Sequence, residues 1–442
     1  MDDLEISRSG SNARVSFDMV DADWVNKYRP FNDASPPILD FESMPLFHLE
    51  IVIKLSNYCT FRPRRYLPIV ISRALRQAFS PGPWQNWNRP DLIDLNPNPP
   101  LWFVIEKTSK GRGHRANLYR NMSGDAESIN VEVQPSLISE ELDRIFTLPG
   151  TPVDRLDPAA IALLGDIACD RIVVFDVGQG NANGLIKDGS VAPELYFDAG
   201  AGVYGNFHTR PPRLHLPADN AKVVILSHWD SDHWAGANIP GNDDLLSKTW
   251  IAPQQPVGPR HAAFAQRIMD STGTLLLMER MAPKVQVIPM KGGRDLLLTQ
   301  GTGDGRNDSG LVACVEATTQ DALRRSIILT GDCDYCHFGH LKNAPVKGLV
   351  VPHHGASLKS NHSDVPTSSA GQSTLAYSFG PNNAHGKSRV RHPTTDGVKL
   401  HSAWHHGGWR LTRPGFGNPG PQVLATCDHT AGAARGSVYL DW

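Results

Sequence analysis

Between Ala221 and Ala237 the chain reads AKVVILSHWDSDHWAGA, a strand-length apolar run that opens directly into His228, Asp230, Asp232 and His233. Imidazoles and carboxylates packed this densely lose hydration and repel one another unless a cation sits among them. A strand delivers the loop that follows it to one edge of a sheet, and residues two apart share a face, so His228 and Asp230 can aim at one point. Asp232 and His233 follow where a helix is expected to begin. Other apolar runs end in the same way: SIILTGDCD stops at Asp332, LVVPHHGAS stops at His353 and His354, and RVRHP supplies His392. All of these could converge at one sheet edge, with Asp332 suited to bridge two cations.

A chain of 442 residues exceeds the roughly 250 to 300 residues at which single cores stop growing, so two domains are expected, 1–165 and 166–442. Apolar residues at 40%, charged residues at 20% and a net charge of -2 describe an ordinary globular chain. Nothing in that balance steers the whole molecule toward phosphate. The six cysteines are too sparse for a disulfide framework, and their reduced state is expected. No window approaches the roughly 18 uninterrupted apolar residues of a spanning helix, and the acidic N-terminus lacks a signal-peptide layout. A cytoplasmic protein with no membrane partner is the expectation.

Residues 1–165 mix short apolar runs with Pro- and Trp-rich joints, which predicts a small α+β domain. Its basic stretches, FRPRRYLPIVISRALRQAF and KTSKGRGHRANLYR, read either as solvated faces or as a surface for phosphate or a protein partner. From Asp166 onward, strands such as RIVVFDV, ELYFDAG, KTWIAP, GLVACVEA and TLAYSF alternate with loops and helical segments. That alternation predicts a layered α/β fold in which helices cover two packed sheets. No internal repeat is evident.

The order FDVGQGN (175–181), YFDAG (196–200), SHWDSDH (227–233), RNDSGL (306–311), LTGD (329–332), VPHHGAS (351–357), SFGPNN (378–383) and RHP (391–393) resembles the metallo-β-lactamase superfamily. Within it, the chain is most similar to the ComEC type, the hydrolase domain of competence DNA-uptake proteins, over about residues 170 to 400. The resemblance implies an αββα sandwich and a metal-dependent hydrolase with two divalent cations. His228 and Asp230 with Asp332 would form one metal site, and Asp232 and His233 with Asp332 and a late histidine the other. His392 is the first choice for that histidine; His353 is the second, as ligand or as transition-state donor. Asp198 corresponds to the aspartate that props the metal loop.

Several departures carry consequences. Asp230 stands where a second histidine is common, and the Asn307-Asp308-Ser309 region replaces the usual third-motif histidine. An oxygen-richer shell favours Mn²⁺ or Mg²⁺, with Zn²⁺ also open. Asn181 stands where an acid is more frequent, and AHGKSRV is inserted before His392. The membrane segments of competence proteins have no counterpart, so DNA transport does not carry over.

Asp232, His353, Asp198 and Lys359 are the candidate catalytic residues, and Asn383, Lys387, Arg389 and Arg391 the candidate substrate contacts. The bases among them could neutralise charge on an attacked phosphoryl group. The expected activity is phosphodiesterase or nuclease action on nucleic acid or nucleotides. An ester, lactone or β-lactam hydrolase, or a metal-bound recognition module, are the alternatives. Trp229 and Trp234 suit sheet packing better than base stacking. Cys333 and Cys336 read as ordinary thiols, and His401, His405 and His406 stay unassigned.

Overall fold

The computed structural model describes residues 3–6, 12–27, 43–54, 102–136, 139–280, 284–318, 324–341, 346–369, 373–384, 391–404 and 409–442. The basic stretch 61–79 lies outside the described residues. Two compact units emerge, one of residues 1–149, 256–266 and 385–389, the other of 150–255, 267–384 and 390–442. The described α-helices are α1 (Ala22–Lys27), α2 (Ser139–Ile145), α3 (Pro158–Gly165), α4 (Pro259–Asp270) and α5 (Thr395–Leu400). None is long and apolar enough to cross a membrane.

The first unit is built on an antiparallel six-stranded sheet. Its strands are β1 (Asp3–Ile6), β2 (Asn12–Val20), β3 (Leu46–Lys54), β4 (Phe103–Thr108), β5 (His114–Tyr119) and β6 (Glu127–Pro135), in the order β1-β2-β3-β5-β6-β4. Alternation decides which face is apolar: Leu49, Ile51 and Ile53 on β3 and Ile129, Val131 and Val133 on β6 are buried every second residue. One ionic cluster interrupts this pattern. Asp18 accepts from His48 Nδ1 at 3.0 Å, and its Oδ1 lies 3.4 Å from Arg260 Nε. His261 Nε2 stands 3.8 Å from Oδ2.

Burial alone pushes the Asp18 carboxyl up, but His48, Arg260 and His261 outweigh it and hold the group well below the usual carboxylate range. A depressed folded-state pKa stabilises above the unfolded value of about 4, and that contribution is lost as pH falls below it. Asp18→Asn removes the anion that His48, Arg260 and His261 share in this buried cluster and should cost about 3 to 5 kcal/mol at pH 7. Urea unfolding checks this: the gap to the unaltered protein should narrow below about pH 4, and a gap under about 1 kcal/mol at pH 7 would remove the cluster's structural role.

Two seven-stranded sheets make the second unit. The first contains β7 (Arg171–Val174), β8 (Ala182–Ile186), β9 (Leu195–Ala199), β10 (Val223–Ile225), β11 (Thr249–Pro253), β12 (Thr274–Met278) and β20 (Val438–Asp441), ordered β12-β11-β10-β9-β8-β7-β20. The second contains β13 (Gln286–Met290), β14 (Arg294–Gln300), β15 (Leu311–Thr318), β16 (Arg324–Leu329), β17 (Val346–Val350), β18 (Thr374–Tyr377) and β19 (Val423–Ala425), in chain order. Ile172, Phe197 and Ile225 of one sheet and Leu296, Val315, Leu329 and Ala376 of the other share a single apolar cluster. The sheets therefore pack face to face.

Period-two alternation sends Val312, Cys314, Ile328 and Leu375 to the opposite face of the second sheet, where Val398 and Leu400 of α5 cover them. Strands buried on both faces have to be apolar throughout, which explains runs such as IIL and GLVV. The stretch 150–165, placed by the sequence in the first domain, groups with this unit: Asp157 caps α3 by accepting from Ala160 N at 2.7 Å, and Ala160 and Leu164 join the shared core.

The two sheets repeat one topology that the sequence does not reveal. In each, three antiparallel pairings give way to three parallel ones, at β9/β10 in the first sheet and at β16/β17 in the second. The loops after β9 and β10 carry Gly200 and residues 228–233, and those after β16 and β17 carry Asp332 and residues 353–354.

Candidate metal centre

Each sheet contributes half of the ligand set. After β10, the chain turns as short 3₁₀ segments, Ser231–His233 and Ala235–Asn238, where the sequence suggested a helix. The close approach of the loops requires glycine at two points. A Cβ on Gly200 would lie 1.8 Å from the Asp232 carbonyl oxygen, and one on Gly331 would lie 2.5 Å from Ser227 Oγ. His353 and His354 are both left-handed, with φ of 49° and 54°, a conformation that costs a non-glycine residue about 1 to 3 kcal/mol and fixes where the two imidazoles go.

Hydrogen bonding settles which nitrogen each imidazole offers. His233 Nδ1 sits 2.8 Å from Asp198 Oδ2, a pure acceptor, so Nδ1 carries the proton. His354 Nδ1 donates in the same way to the Ser378 carbonyl at 2.9 Å. Ser227 Oγ donates to Asp198 Oδ2 at 2.9 Å and can then accept from His228 Nδ1 at 3.0 Å. All three rings therefore turn Nε2 inward, toward carboxylates. His233 Nε2 is 3.1 Å from Asp332 Oδ1, His354 Nε2 is 3.2 Å from Asp232 Oδ2, and His228 Nε2 is 3.3 Å from Asp230 Oδ2 and 3.9 Å from Asp332 Oδ2. His228 Nε2, His233 Nε2 and Asp332 Oδ1 are buried without a hydrogen bond.

Lone pairs facing carboxylate oxygens repel, so the arrangement calls for a proton or a cation between them. Burial would lower the His233 pKa, but Asp332, Asp198 and Asp232 together raise it well above the usual value. Burial likewise pushes Asp332 up, and His353, His233 and His354 hold it well below the usual carboxylate range. The same negative potential that retains that proton would retain a metal ion. Two ligands on one ion at about 2.0 to 2.2 Å lie roughly 3 to 3.5 Å apart, close to the separations here. His228, His233 and Asp332 form one group with that capacity, and Asp232, His233 and His354 form another.

The predicted residues divide clearly. His228, Asp230, Asp232, His233 and Asp332 come together. His353 Nε2 stands 3.6 Å from Asp332 Oδ2 at a more open position, 34% exposed. His392, the first choice for the late ligand, is buried with its ring centroid 5.7 Å from that of His353, while His354 sits on Asp232. Asp198 acts through others: fully buried, it accepts from Ser227 N, Ser227 Oγ, His233 and Asn181. Asn383, read as a substrate contact, is instead completely buried; its amide donates to the His392 carbonyl at 2.7 Å and its Oδ1 accepts from His392 N at 2.8 Å.

Lys359 is 82% exposed, with Nζ 3.5 Å from Asp308. Arg391 is exposed beside Phe416, and Lys387, Arg389, His405 and His406 lie outside the described residues. Trp229 and Trp234 are fully buried, each indole donating to a backbone carbonyl. Cys333 is buried and Cys336 exposed, both as thiols. His401 lies in the core between Tyr335 and Tyr377.

Arg306 escaped the reading of the sequence. Its Nη2 lies 2.8 Å from Asp230 Oδ1. Burial pushes the Asp230 carboxyl up, and Arg306 and His228 more than offset this, holding it far below the usual range. Position 306 opens the RNDSGL stretch after a glycine-rich turn, and nothing in that stretch pairs it with Asp230.

No model of a known protein family matches the chain, and no curated protein matches it. Among solved structures it is similar to the metallo-β-lactamase MIM-1 from Novosphingobium pentaromativorans, at 10% identity and a TM-score of 0.25, over 43% of this chain and 78% of that one. It is also similar to a candidate metallo-β-lactamase from Thermotoga maritima, at 12% identity and a TM-score of 0.21, over 37% of this chain and 79% of that one. Likeness at these TM-scores bears no weight in assigning the chemistry, which rests on the residues themselves.

Proposed function

We propose that the second unit is a metal-dependent hydrolase with an αββα sandwich, cleaving phosphodiesters of nucleic acid or nucleotides with two divalent cations. One observation carries this reading: three imidazoles, each with Nδ1 committed to an acceptor, present Nε2 to the carboxylates of Asp230, Asp232 and Asp332 at 3.1 to 3.9 Å. His228, Asp230 and Asp332 would hold one cation, and Asp232, His233 and His354 the other, with Asp332 facing both groups. Three nitrogens among carboxylate oxygens suit Zn²⁺ or Mn²⁺ more than Mg²⁺. Bound divalent ions supply Lewis acidity and neutralise charge as water attacks an ester. The protein's part is to fix the imidazoles through Asp198, Ser227 and Ser378, and to leave His353 at the open rim, where it can donate to charge developing on the substrate.

The phosphodiester preference is supported by the ComEC-type motif order and by the cationic segment ending at Arg391. The test is metal analysis with an assay panel of bis(p-nitrophenyl) phosphate, single- and double-stranded DNA, RNA and cyclic nucleotides. Expected are two equivalents of metal per chain, and turnover that a chelator abolishes and Mn²⁺ or Zn²⁺ restores. Turnover of a lactone or β-lactam with no phosphodiester cleaved would reject the substrate class. Failure to retain any metal would reject the site.

A further inference from the structure

Beside the candidate centre, two arginines converge on one aromatic ring. Arg413 Cζ lies 4.5 Å and Arg391 Cζ 5.7 Å from the centroid of Phe416. Both side chains are exposed, and among the described residues neither has an ion-pair partner. Two like charges drawn to a common ring raise the local potential, and each guanidinium keeps its forked donors for an anion.

The backbone carrying Arg391 is also held rigid. His392 N donates to Asn383 Oδ1 at 2.8 Å, and the His392 carbonyl accepts from Asn383 Nδ2 at 2.7 Å and from His429 Nε2 at 2.9 Å. His429 Nδ1 accepts a hydrogen bond from Asn382 N, 3.0 Å away, which fixes the ring as the neutral tautomer with Nε2–H. Burial, with Arg391 nearby, pulls its pKa down to about 4, so it stays neutral near pH 7. His429 also touches Phe416, with ring centroids 5.2 Å apart. The same His392 places its ring 5.7 Å from His353, which borders Asp332. A braced peptide therefore links the paired arginines to the rim of the metal cluster.

We propose that Arg391 and Arg413, gathered about Phe416, form an anion clamp for the phosphodiester chain flanking the bond to be cut. The clamp deepens the phosphodiesterase reading by naming a polymeric, multiply charged substrate over a single small ester. A guanidinium pair on a fixed frame engages backbone phosphates without choosing a base sequence.

The experiment measures binding and does not require turnover. Full-length protein and the double variant Arg391→Gln/Arg413→Gln are titrated against a fluorescent single-stranded oligonucleotide of about 12 nucleotides, by anisotropy, over a range of salt concentrations. Both substitutions are at exposed side chains, and circular dichroism verifies the fold. The expected result is an affinity loss of about tenfold or more, with a log Kd against log salt slope shallower by about 1.4, from two lost phosphate contacts on a single strand. Equal affinity and equal slope, or no oligonucleotide binding by the unaltered protein, would overturn the clamp. Hydrolysis of bis(p-nitrophenyl) phosphate by the unaltered protein is read separately: its absence would sink the hydrolase reading while leaving the binding result intact.

Discussion

Replacing Asp332 by alanine should abolish hydrolysis by on the order of a thousandfold or more and reduce the metal content to at most one ion per chain. Asp332 faces both groups of ligands, with Oδ1 toward His233 and His354 and Oδ2 toward His228 and His353. Its loss removes a donor from each group at once. The more conservative Asp332→Asn keeps the volume but replaces an anionic oxygen with an amide, and should lose metal almost as completely. Inductively coupled plasma analysis of both variants, beside near-ultraviolet circular dichroism to verify packing, provides the check. Two tightly held ions in a well-folded Asp332→Ala protein would show that the ions sit elsewhere.

The second large effect is expected at a residue that touches no ligand ion. Asp198 →Ala removes the acceptor for Ser227 N at 2.7 Å, Ser227 Oγ at 2.9 Å, His233 Nδ1 at 2.8 Å and Asn181 Nδ2 at 3.2 Å. Its φ of 64° is a backbone conformation that the surroundings impose, and its carboxylate stands against the loop that carries His228 and His233. Buried donors left without an acceptor cost about 1 to 3 kcal/mol each, and the variant should lose about 3 to 5 kcal/mol in all. Metal affinity should fall about 10- to 100-fold as His233 becomes free to rotate. Asp198→Asn separates the two effects. It retains the shape, yet its amide confronts the Nδ1–H of His233 with a donor, so metal affinity should fall further than stability. Calorimetric metal titration together with urea unfolding measures both quantities, and an Asp198→Asn protein with unchanged affinity would show that the imidazole needs no such orientation.

Much of the second unit was legible because strands buried on both faces must be apolar, and short windows such as SIILTGDCD show where they end. The ligand residues stood out for the same reason: a carboxylate or imidazole immediately after such a run has no other simple use. What could not be read is equally specific. His354 and His353 are neighbours in sequence, and only their left-handed backbone decides that His354 faces Asp232. Asn383 resembled a polar rim residue, but its amide happens to match the His392 peptide, a pairing between turns with no periodicity to announce it. Arg306 joins Asp230 across 76 positions of chain, and such a long-range ion pair leaves no local trace. In the first unit, short apolar runs were visible, whereas Asp18 meets Arg260 only because a distant segment returns to that sheet.

The repeated topology gives the centre a mechanical meaning. Since neither sheet owns a complete set of donors, an ion can bind only when the two sheets stand at one particular offset. Sliding one against the other by a single residue, about 3.3 Å, exceeds by more than tenfold the roughly 0.2 Å within which coordination distances are tolerated. On the proposed reading, ion occupancy would gauge sandwich alignment, and a substitution in the shared core that shifts the layers should be felt as lost metal well before the fold itself gives way.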